Sequence, residues 1–109
     1  MSLDIEKIAK DMAIALVSSL SGTVPTIEAY ATSEALKLGH SLAQIETLYV
    51  SGQINQKTSS LLLDIQKNST RIVFLTIEGL GLLAVEAAIN AALAVVGEVV
   101  NTALGFKLI

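Results

Sequence analysis

Apolar residues recur along this chain in steps of three and four, a spacing that predicts helices throughout. Over about residues 3–20 they mark one face with Ile5, Ile8, Met12 and Leu16 or Ala15, while Lys7, Lys10 and Asp11 fall elsewhere. The only proline, Pro25, lies in Ser21–Thr26. Proline fits a helix's first turn and pushes its predecessor to an extended conformation, so one helix should stop near Leu20 and the next start between Pro25 and Ile27. That second helix, about residues 26–51, carries a coiled-coil-like seam of Ala31, Ala35, Leu38, Leu42, Ile45 and Tyr49 and should end at Ser51-Gly52.

A further seam begins at Ile54 and runs through Thr58, Leu61, Ile65, Asn68, Ile72, Leu75, Gly79, Leu82, Glu86, Ile89, Leu93, Val96, Val100 and Ala103. No proline interrupts it, and the β-branched residues at Ile72-Val73, Val95-Val96 and Val99-Val100 sit within helical spacing, so no strand is expected. Asn55 suits an N-cap, and Gly105 followed by Phe106 suits a helix-ending glycine with its hydrophobic contact. The pattern predicts one helix over about 55–104, roughly 70 Å long at about 1.5 Å per residue, with a kink expected, if anywhere, at the polar run Asn68-Ser69-Thr70. The expected fold is a single all-α domain. A short N-terminal helix accompanies a long antiparallel helical hairpin, and the whole assembles into a helical bundle.

Composition sharpens this picture. Of 109 residues, 52% are hydrophobic, 16% charged and 4% aromatic, with mean hydropathy +0.66; an average soluble domain is about a quarter charged. That is little charge to solvate a monomer. Zero Cys excludes a disulfide framework, a thiolate metal site and a Cys nucleophile. The net charge of −3, with Arg71 the lone arginine, leaves no basic stripe for phosphates and argues against nucleic-acid binding. Asp4, Glu6 and Asp11 precede the apolar stretch from Met12 to Val17 without a basic n-region, which argues against a secretory signal and for a cytoplasmic location.

The apolar excess lies in the C-terminal part. Between Ile72 and Phe106 the only ionisable side chains are Glu78, Glu86 and Glu98. A helix apolar nearly all round is buried among helices or in lipid. The longest run free of charge in this part, Ala87 to Gly97, falls short of the roughly 18 to 20 residues of a spanning helix. Over Ile72 to Ala91, about ten Leu, Ile, Val or Phe contribute about −0.3 to −0.6 kcal/mol each toward insertion, while a central acidic residue costs on the order of +3. Glu86, Asn90 and the glycines nearly cancel the gain, so a self-associated bundle is preferred to a membrane span. Ala84, Ala88 and Ala92 form one row at intervals of four, Ala87 and Ala91 a second, and Gly79, Gly81 and Gly97 add gaps that would let helices approach closely. The interface expected is therefore Gly81, Ala84, Glu86, Ala88, Ala92, Leu93, Val96 and Val100, buried by symmetry in a homodimer or tetramer.

Three roles compete for Glu78, Glu86 and Glu98: satisfied groups at a bundle edge, a register-setting polar residue at Glu86, or metal or proton chemistry. Helical carboxylate bundles use a Glu-x-x-His motif, which does not occur here, and Glu34 and His40 are six apart on nearly opposite helix faces. His40 reads as a surface or seam-edge residue. There is no Gly-x-Ser-x-Gly elbow. Gly79-Leu80-Gly81 lacks the strand, phosphate loop and lysine of a nucleotide site and reads as close helix packing. Asn68-Ser69-Thr70 fits a glycosylation sequon but reads as a solvated bend, beside a small charge cluster of Asp64, Lys67 and Arg71. The sequence points to a non-enzymatic structural or interaction protein without cofactor, metal or small-molecule substrate, self-assembling through its C-terminal helix. The alternatives weighed are a membrane-active or holin-like small protein and a carboxylate metal-binding bundle.

Overall fold

The computed structural model describes residues 3–20 and 26–109. Four helices, α1 (Ile5–Ser19), α2 (Ile27–Val50), α3 (Gln56–Leu75) and α4 (Leu82–Leu104), make up the fold, and no strand occurs among the described residues. The turn expected around Pro25 lies outside the described residues, but the helices on either side stop and start where proline requires. Local chemistry fixes several ends. The Asp4 side chain accepts from the Lys7 N–H at 3.2 Å, and the Asn55 side chain accepts from the Thr58 N–H at 2.8 Å. Gly105 closes α4 in the left-handed conformation at φ 85°.

The single helix expected over about 55–104 is two helices, and the longest dimension of the molecule, 42 Å, would not hold a 70 Å rod. The interruption lies at Thr76–Gly81 rather than at 68–70, through which α3 runs unbroken. Two glycines in three residues cost a helix about 1 kcal/mol each relative to alanine. Gly79 adopts φ +94°, and the Thr76 hydroxyl donates back to the Val73 carbonyl at 2.6 Å, helping to end α3. Buried Ile77 and half-buried Leu80 turn inward and anchor the reversal. The polar run at 68–70 needs no kink. Buried Thr70 accepts a hydrogen bond from the Gln66 amide at 3.4 Å, and Arg71 donates to the Asn68 side chain.

The helices form an up-down-up-down bundle in which each packs on its sequence neighbour and α1 closes the ring against α4. α2 and α4 meet across the middle, whereas the backbones of α1 and α3 stay farther apart. Antiparallel order shows in single contacts: the Leu3 N–H reaches Glu46, Ser41 bonds Gln66, and Arg71 pairs with Glu86. The core takes Ile8, Met12 and Leu16 from α1 and Ala31, Ala35, Leu38, Leu42 and Ile45 from α2, as the spacing predicts. From α4 come Val85, Ala88, Ile89, Ala92, Leu93, Val96 and Val100.

The seam of α3 departs from expectation. Leu61, Ile65, Ile72 and Leu75 face outward, and α3 buries Ser59, Leu63, Thr70 and Phe74 instead. The reversal at Thr76–Gly81 resets the helical phase, so the seam residues Ile89, Leu93, Val96 and Val100 of α4 point into the core while those of α3 do not. Because Gly79 needs a positive φ, Gly79→Ala should lower unfolding stability by about 1 kcal/mol. Gly81 is an uncapped N-cap in extended conformation (φ −95°, ψ 163°), so Gly81→Asp should raise stability by about 0.3 kcal/mol. Urea unfolding followed by circular dichroism checks both.

Candidate assembly surface

Of the eight residues expected at an interface, Ala88, Ala92, Leu93, Val96 and Val100 are buried in the chain's own core. Gly81 and Ala84 are exposed and Glu86 is half-buried. α4, the helix that carries Ala88 and Ala92, packs against α1 of its own chain. Gly97, read as a gap for another helix, faces the chain's own end, since a Cβ built there would lie 3.5 Å from Ile109 Cγ2. The end segment folds back along α4 because Asn101 holds it. Its Oδ1 accepts from the N–H groups of Leu108 (2.9 Å) and Ile109 (3.0 Å), and its Nδ2 donates to the Ile109 carbonyl (3.1 Å). The Phe106 ring lies 4.7 Å from that of Tyr49.

The carboxylates sort into distinct environments. Arg71 Nε lies 3.2 Å from Glu86 Oε1, close enough for an ion pair but not aligned as a hydrogen bond. Glu86 thus meets a cation from the facing helix of its own chain. Glu78 lies exposed in the α3–α4 turn, and Glu98 lies exposed on α4 at a groove whose walls include Asp64, Lys67 and Lys107. His40 is exposed. No group of three or more His, Cys, Asp or Glu side chains converges among the described residues.

Two buried carboxylates on α2 escaped the sequence reading. Glu46 (3% exposed) accepts from the Leu3 N–H at 2.9 Å through Oε1, tying the start of α1 to the end of α2. Glu34 (1% exposed) holds Lys37 Nζ at 2.8 Å through Oε2. The second oxygen of each has no hydrogen-bond partner. The Glu34–Lys37 spacing of three was a legible signal. Glu46 gave none, because its partner is a backbone amide 43 residues away.

The surface itself carries an apolar strip that the one-helix picture did not show. Ile14 points away from the core stripe of α1 and stands between two grooves. On one side a groove of about 700 Å³ between α1 and α2 is lined by Ala9, Ala13, Val17 and Leu36. On the other, Ile14 meets Ala91 and Val95 of α4 across a smaller groove. Ile14 and Val95 are more than half exposed and Leu36 nearly so, which makes a band across three helices. The exposed α4 surface adds Leu83, Ala84, Ala87, Ala94 and Val99. Among the described residues α4 is also the one helix long and apolar enough to cross a membrane, a test that core helices of soluble proteins pass as well.

Compared with protein-family models, curated proteins and solved structures, the chain matches none.

Glu46→Ala leaves the buried Leu3 amide without its acceptor and should cost about 1–3 kcal/mol, whereas Glu46→Gln keeps an acceptor and should cost less. Chemical denaturation of the two variants side by side measures the difference.

Proposed function

We propose that this is a non-enzymatic structural or interaction protein that works by self-assembly, through the apolar band centred on Ile14 and the outward face of α4. The observation that carries this reading is the continuity of that band: Leu36, Val17, Ile14, Ala91 and Val95 join across three helices. Exposed apolar patches of this kind mark interaction surfaces in soluble proteins. Its charged border is one-sided: Glu6, Lys10 and Glu28 line the α1–α2 groove, and Asp11 alone lines the α1–α4 groove.

Two features favour assembly over insertion of α4 in lipid. Insertion would strip Glu86 of Arg71. It would also pull Val85, Ile89, Leu93, Val96 and Val100 away from the core they complete. A carboxylate metal centre gains no support from Glu34, Glu46, Glu86 and Glu98, which stand apart.

Sedimentation of detergent-free protein should give a mass that is a multiple of the 11.4 kDa chain. Ile14→Glu combined with Val95→Glu should reduce that mass while leaving the helical signal intact. A wild-type monomer across the concentration range would overturn the reading, as would partition of the wild type into liposomes with α4 protected from protease.

A further inference from the structure

The seam left outside by α3 is ordered too regularly to be scattered surface residues. Leu61, Ile65, Asn68, Ile72 and Leu75 follow steps of four, three, four and three, the spacing of alternating d and a positions of a heptad. Ile65 and Ile72 are 65% and 64% exposed, Leu61 53% and Leu75 40%. This ridge points away from the bundle and is distinct from the band around Ile14.

One flank of the ridge is charged in strict alternation. Lys57, Asp64 and Arg71 recur at seven-residue intervals on α3. These are g positions when Ile65 and Ile72 are a. The opposite flank, Leu62, Ser69 and Thr76, has no charge. In a parallel pair g faces e, so the charges would meet no counter-charge. In an antiparallel pair g faces g, and their order then selects a register.

The geometry points to a second copy of this chain as the occupant of the ridge, its α3 laid antiparallel across the first about a two-fold axis between Gln66 and Lys67. In that register Leu61 of each chain stacks on Ile72 of the other, and Ile65 on Asn68. Asp64 faces Arg71 of the second copy twice over. A slip of one heptad in one direction sets Arg71 against Arg71. A slip in the other sets Asp64 against Asp64 and Lys57 against Arg71. Both slips juxtapose like charges, which is how coiled-coil flanks choose orientation and register. Arg71 can serve this contact while it pairs with Glu86 through Nε and donates to Asn68 through Nη1, because a guanidinium offers five donors.

This inference rests on self-assembly but uses a different face from the band around Ile14, so the two can fail separately. The chain contains no cysteine, and Leu61 and Ile72 are exposed, so Leu61→Cys and Ile72→Cys variants can be made singly, their folding checked by circular dichroism, and joined with a short bis-maleimide. Neither variant alone should cross-link, since like positions lie about 16 Å apart along the axis at about 1.5 Å per residue. An equimolar mixture should give covalent dimer. Asp64→Lys should weaken dimerisation by about tenfold, and adding Arg71→Glu together with Glu86→Lys, which keeps an opposite-charge pair within the chain, should restore it. Cross-linking by either single variant alone would show parallel pairing and overturn the inference. No cross-link from the mixture, with a multimeric mass in sedimentation, would overturn it and leave the Ile14 band standing. No cross-link with a monomeric mass would overturn both readings.

Discussion

The structure depends on covering one helix. α4 presents an unbroken apolar stripe from Val85 to Leu104, and exposing such a stripe to water costs about 25 cal/mol for each Å². α1, α2 and α3 are arranged to meet that demand: α2 lies diagonally across the bundle from α4, while α1 and α3 fill the two sides. The turn at Thr76–Gly81 is the device that makes it workable. By folding α4 back, it converts what would be a rod needing other chains into a core the chain completes largely by itself.

The two flanking helices do this unequally. α1 contributes Ile8, Met12 and Leu16, large side chains fully in the core. α3 contributes Leu63 and Phe74, and its other two fully buried residues, Ser59 and Thr70, carry hydroxyls. Its join to α2 is partly a polar ladder, with the Ser41 hydroxyl bonding Gln66 and the Gln66 amide bonding Thr70. A helix attached this way spends few of its apolar residues on the core. The remainder stay on its outer face, and the same sequence that weakens the inner contact equips the outer one.

Much of the fold was legible because short-range rules set it. The helix ends at Leu20, Ser51, Asn55 and Gly105 follow from proline, glycine and capping chemistry, and the α2 seam from Ala31 to Ile45 is buried as its spacing requires. The long helix was misread because seven-residue spacing happens to continue through Gly79. Periodicity alone does not register that Gly79 is left-handed and that Ile77 and Leu80 turn inward. Orientation was likewise out of reach for α3, since apolar spacing identifies a stripe but not whether it faces the core or the surface. The surface band was invisible for a related reason: Ile14, Leu36 and Val95 lie on three helices, and only tertiary packing brings them together.

The tie between Glu46 and Leu3 and the tilted ring contact of Phe106 with Tyr49 lie within one turn of each other on α2. Leu3 and Phe106 are thus fastened to the same pole of the bundle. A mechanical load applied between them would peel α1 and α4 apart from that pole, breaking contacts one after another rather than shearing them all together. Resistance to such a load is therefore set by the two local fastenings and not by the length of the helices behind them.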